Sequence, residues 1–179
     1  MIYMFLAEGF EEVEALAPLD LMRRAGLSVR TVGVGSKSVM GAHGISVLAD
    51  LTDAEYADNA PELIFLPGGM PGTLNLAASE VVRSAIETAH KTNAYLAAIC
   101  AAPSILGDMG LLRGKNAICY PGFEDRLVGA TISKHRVVCD GKILTAAGMG
   151  VAVEFGLTIV AELLGKEKAI ELRHTVIAD

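Results

Sequence analysis

The sequence predicts an α/β protein with a largely parallel central sheet. Three observations carry this: short apolar runs recur along the chain, longer segments with helical spacing separate them, and turn residues mark the joins. The chain has 179 residues, 52% hydrophobic and 20% charged, enough for one domain over residues 1–179 with a sizeable core.

The elements follow in order. Ile2 to Leu6 reads as a strand and Glu11 to Ala25 as a helix closed by Gly26. Ser28 to Gly33 and Ile45 to Ala49 read as strands joined through Gly41-Ala42-His43-Gly44. Leu63 to Leu66 is a short buried strand that stops at Pro67-Gly68-Gly69, and Glu80 to Lys91 is a helix. The continuously apolar run from Ala94 to Ile99 is a strand ending at Cys100. Pro103 to Leu112 reads as a helix, with proline near its first turn, where the missing N–H costs nothing. A further strand ends at Ile118. Val137 to Cys139 and Ile143 to Thr145 form a hairpin around Asp140-Gly141, and Val151 to Leu164 is a long apolar helix packed on the sheet.

Composition excludes several classes of partner. The net charge is -6 and the pI about 5.2, with no basic cluster, so neither nucleic acid nor an anionic membrane is expected. No apolar run approaches ~20 residues, and Met1 to Leu6 reads as a strand rather than a signal peptide. Three cysteines without close pairing suggest neither a disulfide framework nor a zinc site, and no metal is expected; they fit a reducing cytoplasm.

In such sheets, sites form outside the carboxyl ends of the strands. That rule gathers Ala7-Glu8-Gly9-Phe10, Pro67-Gly68-Gly69, Cys100 and Cys119-Tyr120-Pro121. Cys100 lies in Ala97-Ala98-Ile99-Cys100-Ala101-Ala102-Pro103, on a strand-to-helix turn flanked by small residues, as a nucleophile elbow does. Two readings stand: a reactive thiol favoured as thiolate by the helix N-terminus, or an inert buried cysteine. The Gly68-Gly69 turn allows close backbone approach, and its N–H groups suit an oxyanion; an ordinary tight turn is the alternative. Glu11 and Glu12 are accounted for by the helix macrodipole. Glu14 stands beside Val13, Leu16 and Ala17 on a helix with substantial apolar content. Buried near a thiol, its carboxyl would be pushed towards the protonated form and would donate to sulfur.

Four stretches in order, Glu8-Gly9-Phe10-Glu11-Glu12-Val13-Glu14-Ala15, Arg23-Arg24-Ala25-Gly26, Leu66-Pro67-Gly68-Gly69 and residues 97–103, resemble the ThiJ/PfpI superfamily. Asp140 to Thr145 and Glu154-Phe155 extend the match, and order and spacing agree best with the branch of the parkinsonism-associated deglycase and its bacterial relatives. The resemblance implies a flavodoxin-like three-layer sandwich and a homodimer with the first helix at the interface, where Phe10 and Val13 are apolar among acids. It places the reactive cysteine on Cys100, its partner acid on Glu14 and the oxyanion donors on the N–H groups of Gly69 and Ala101. His43 matches a position near the mouth of the site, and Gly68 and Tyr120 complete the expected substrate contacts. Tyr120 stands where many members carry a histidine; with an unperturbed pKa near ~10 it is a poor general base.

Where the protease branch of the superfamily carries a histidine directly after the cysteine this chain has Ala101, which disfavours a Cys-His protease, and the His-Glu pair of the amidotransferase relatives finds no counterpart. A thiazole-biosynthesis role finds no residues here. Cys119 and Cys139 read as core, His135 as a solvated loop. Two functions remain. One is a cofactor-independent glyoxalase or deglycase acting on a small aldehyde such as methylglyoxal or glyoxal. The other is a redox sensor or stress chaperone in which Cys100 is oxidised to the sulfinic acid.

Overall fold

The computed structural model describes residues 1–57 and 60–178. In chain order the strands are β1 (Ile2–Leu6), β2 (Val29–Gly33), β3 (Ser38–Met40), β4 (Ser46–Leu48), β5 (Leu51–Thr52), β6 (Leu63–Leu66), β7 (Tyr95–Ile99), β8 (Asn116–Ala117), β9 (Thr131–Ile132), β10 (Val137–Asp140) and β11 (Ile143–Ala146). The helices are α1 (Glu12–Arg24), α2 (Gly72–Ala78), α3 (Glu80–Lys91), α4 (Pro103–Asp108), α5 (Ala152–Leu164) and α6 (Lys166–Thr175).

Seven strands form the main sheet in the order β10-β11-β7-β6-β1-β2-β5. Every neighbouring pair is parallel except β10 with β11. The strands are apolar on both faces because helices cover both. Ile2, Met4 and Leu6 of β1 face α1 and α5, where they pack with Ala15, Met22, Phe155 and Ile159. Phe5 faces the other way, into a second core with Val82, Ile86 and Ile105 from α3 and α4. The result is the expected three-layer α/β sandwich. α1 and α5 approach closely at Gly156: a Cβ there would stand 2.8 Å from Leu21 Cδ1 and 2.9 Å from Pro18 Cα.

The local departures have local causes. The helix expected to reach Leu112 stops at Asp108, and Gly110 then takes φ +74°, which ends helical geometry. The strand read as ending at Ile118 is the two-residue β8; it pairs with β9 outside the main sheet. The segment around Ile45 to Ala49 pairs with β3 as a separate hairpin. Phe10, expected at an interface, is fully buried, and only Val13 of that pair is exposed. Cys119 is buried as expected. Cys139 is not core: it is exposed on β10, the edge strand.

Candidate active site

β1, β6 and β7 are consecutive in the sheet, so their carboxyl ends deliver Gly9 and α1, the Pro67-Gly68-Gly69 turn, and Cys100 to one place. Cys100 itself has φ +64°, a left-handed conformation that costs a residue with a Cβ on the order of 1–2 kcal/mol. Two hydrogen bonds hold it there. Its N–H donates to the Ala146 carbonyl at 2.9 Å, and its carbonyl accepts from the Tyr120 N–H at 2.8 Å. The half-buried Sγ receives the backbone N–H groups of Ala101 and Gly69 and is hydrogen-bonded to Glu14.

Glu14, in the first turn of α1, is 1% exposed. Besides Cys100 its carboxyl meets the N–H of Gly68, which donates to Oε2 at 3.0 Å, and the N–H of Met149. The N–H of Gly68, a residue the resemblance places among the substrate contacts, is taken up by Glu14. The position requires glycine, because a Cβ would fall 2.5 Å from Glu14 Oε2 and 2.6 Å from Cys100 Cβ. Gly69, at φ +92°, turns the chain so that its own N–H faces sulfur.

Burial pushes Glu14 up to about 7, opposed by its hydrogen bond from Cys100, and the charge of Glu11 pushes the same way. Cys100 is pushed up to about 12, first by burial and then by the charge of Glu14, against the pull of the Ala101 and Gly69 N–H groups. The expected low thiol pKa is therefore corrected. α4 is only 6 residues long and supplies little macrodipole, whereas desolvation and a neighbouring carboxylate both act on the thiol. The pair holds two protons below about pH 7 and one above it, where Glu14 has released its own while the thiol keeps its proton. On sulfur it leaves a carboxylate; on Glu14 it leaves a thiolate facing two N–H donors.

Tyr120 is half-exposed beside the pair, tied to it by its backbone. A Cβ on Gly148 would stand 3.4 Å from Tyr120 Cδ2 and 3.8 Å from Glu14 Oε1. Gly148 and Met149 were not singled out in the sequence, although they follow the carboxyl end of β11 and the same strand-end rule reaches them.

The structure pairs His43 with Glu11 and Glu12 rather than with Cys100. Its Nδ1 lies 3.0 Å from Glu12 Oε2 and 3.4 Å from Glu11 Oε2, and these carboxylates raise its pKa. Glu12 does more than complement a macrodipole. It is 4% exposed, and its Oε1 accepts the N–H groups of His43 at 2.8 Å and Ile45 at 3.3 Å, fastening the loop before β4 to α1. Against burial, its own backbone N–H, the His43 ring and the His43 and Ile45 N–H groups together hold its pKa below the ordinary value. Ligand atoms of Glu11, Glu12 and His43 lie within 4.8 Å of one another, but those of Glu12 already serve His43 and Ile45.

A family model described as the DJ-1/PfpI family matches residues 1–162. Protein DJ-1 homolog B of Arabidopsis thaliana is 40% identical over 170 residues, 93% of this chain and 39% of that protein. For its homolog A the identity is 38%, over 93% of this chain and 44% of the relative. The chain thus spans about two fifths of the length of these curated relatives. A glutathione-independent glyoxalase of Caenorhabditis elegans is 30% identical over 92% of this chain and 89% of its own. Among solved structures, oxidized DJ-1 of Toxoplasma gondii superposes with a TM-score of 0.94 at 31% identity, over 98% of this chain and 97% of that one. The sheet order, the elbow at Cys100 and the match over residues 1–162 agree, and the chain belongs to the DJ-1/PfpI family.

Proposed function

We propose that the protein is a glutathione-independent glyoxalase, or the closely related deglycase, acting on small 2-oxoaldehydes such as methylglyoxal and glyoxal. The observation that carries this is the hydrogen-bonded Glu14–Cys100 pair with two N–H donors aimed at sulfur. The worm relative's name supports it.

With methylglyoxal, the Cys100 thiol passes its proton to Glu14 and the thiolate adds to the aldehyde carbon. Gly69 and Ala101 N–H groups steady the new oxyanion, which takes the proton from Glu14 to give a hemithioacetal. The Glu14 carboxylate then removes the hydrogen from that carbon and returns a proton to the neighbouring one, while the hemithioacetal hydroxyl proton passes to the former ketone oxygen, so the aldehyde carbon is oxidised to a thioester and the ketone carbon reduced to an alcohol. Water cleaves the thioester, releasing lactate and the thiol. A carboxyl group that titrates near neutrality suits both proton transfers. Tyr120 borders the site and contributes by positioning substrate.

The reading includes a homodimer through α1 and a cytoplasmic setting. The dimer is supported by exposed Val13 and Val153 and by a cavity of about 640 Å³ between Ala17, Leu21, Val153 and the chain from 175 to 178. Three free cysteines support the reducing compartment. One comparison favours a second reading: the Toxoplasma relative was solved in an oxidized form. In that reading peroxide takes the Cys100 thiol to the sulfinic acid, and Glu14 hydrogen-bonds the product.

The test is lactate formation from methylglyoxal without glutathione, by wild type, Cys100→Ser and Glu14→Gln. Activity lost in both variants supports the enzyme. An inactive wild type whose Cys100 oxidises readily in dilute peroxide favours the sensor.

A further inference from the structure

β10 runs against the other strands of the sheet, so its first residues lie where their carboxyl ends lie. Just before it, the Arg136 carbonyl accepts the Ala147 N–H at 2.8 Å, which extends the β10–β11 ladder by one residue. On the next strand Ala146 accepts the Cys100 N–H. Arg136 and Cys100 are therefore two strand spacings apart, about 10 Å between backbones.

Next to Tyr120, whose N–H donates to the Cys100 carbonyl, opens a cavity of about 300 Å³, lined by Tyr120, Pro121, Arg136 and residues 147–151. Two of its lining residues border the site: a Cβ on Gly148 would stand 3.4 Å from Tyr120 Cδ2 and 3.8 Å from Glu14 Oε1. No other lining residue carries a charge, so Arg136 is the one cation the cavity offers. Its guanidinium is held only loosely: Nη2 lies 3.7 Å from Glu154 Oε2, and with both side chains widely exposed solvent screens the pair. A planar fork of donors in that position matches a carboxylate, which it binds in a bidentate manner. A three-carbon dicarbonyl on Cys100 leaves this space unfilled and the guanidinium unused. In a chain of net charge -6, a cation two strand spacings from the thiol discriminates for an anion that the rest of the surface repels.

We propose that the Cys100 site prefers a 2-oxoaldehyde whose far end carries a carboxylate, bound by Arg136 across the Tyr120–Gly148 cavity. This rests on the glyoxalase reading. The chemistry is unchanged: the aldehyde carbon rises to the acid, the ketone carbon falls to the alcohol, one water is added, and the remote carboxylate stays intact. No external oxidant or reductant enters.

The experiment compares kcat/KM for 4,5-dioxopentanoate with that for its neutral isostere, 5-methyl-2-oxohexanal. Wild type is expected to favour the carboxylate at least tenfold, Arg136→Gln to bring the ratio to about one, and Arg136→Lys to restore part of it. The same ratio in wild type and Arg136→Gln, or no preference in wild type, overturns the proposal. Methylglyoxal is run alongside. If wild type turns over none of the three compounds, the glyoxalase reading has failed, and the carboxylate site is read from protection of Cys100 against iodoacetamide. There 5-oxopentanoate is expected to protect at tenfold lower concentration than pentanal in wild type but not in Arg136→Gln; equal protection overturns the site as well.

Discussion

The backbone N–H of Gly68 donates to Oε2 of Glu14 at 3.0 Å, a hydrogen bond between residues 54 apart in sequence. It fixes the carboxyl group at the end of β6 while the other elements bring Cys100 to the same point. Without that donor, Glu14 would be a buried acid with little beyond a thiol and one further N–H to orient it. With it, the proton-carrying oxygen atoms are held in a defined relation to sulfur.

Burial of Glu14 makes stability depend on pH in a definite direction. Below about 4.5 the acid is protonated in both folded and unfolded chains. Between about 4.5 and about 7 the folded protein keeps a proton that the unfolded chain has released, so stability falls as pH rises; above about 7 the loss is complete. Glu14→Gln, which keeps an acceptor for Gly68, removes this dependence. Urea unfolding should show the variant gaining on wild type across that window, to about 3 kcal/mol at pH 8, with no further gain at still higher pH from this group.

Gly68→Ala tests the packing at the same point. A methyl group 2.5 Å from the Glu14 carboxylate and 2.6 Å from Cys100 Cβ must displace one of them. The expected cost is about 1–3 kcal/mol in urea unfolding, with alkylation of Cys100 by iodoacetamide changed in rate. A variant as stable and as reactive as wild type would show that the turn yields freely.

The left-handed backbone at Cys100 gives a sign reversal. In a strand or helix interior, glycine is less stable than alanine. At φ +64° the alanine methyl group carries the penalty instead. Cys100→Gly should therefore be more stable than Cys100→Ala by about 1 kcal/mol in chemical denaturation.

Glu12 and Glu11 are neighbours with opposite expected consequences. Removing the Glu12 carboxylate by Glu12→Ala leaves the His43 and Ile45 N–H groups without their acceptor and should cost about 2 kcal/mol. Glu11→Ala should stay within about 0.5 kcal/mol of wild type. Paired thermal melts decide between them.

The main sheet and the Cys100 elbow are legible in the sequence because their signals are local. A continuous apolar strand, small flanking residues and a proline lie within ten positions of one another. Glu14 is legible from helical spacing. The roles of Gly68 and Glu12 are not, since the partners of Gly68 and Glu12 lie 54 and 31–33 positions away and are set by the tertiary fold. The raised pKa of the thiol is not legible either, because burial and the Glu14 carboxylate, both set by the tertiary fold, outweigh the helix that follows. The helix after Cys100 ends at Asp108, and the apolar residues that suggested continuation pack from a glycine-punctuated turn. The exposure of Cys139 reflects sheet order, which places β10 at an edge.

That edge position has a consequence for how such a protein diversifies. β7, which carries the thiol, is gripped by a parallel neighbour on each side, and a change in its register would misplace every group around Cys100. β10 has a main-sheet neighbour on one side only, and its first residues border the approach to the thiol without supporting it. Sequence can therefore drift around residues 133–137 while the reaction centre stays intact. Descendants of one ancestral chain can thus exchange what they accept without relearning how to react with it.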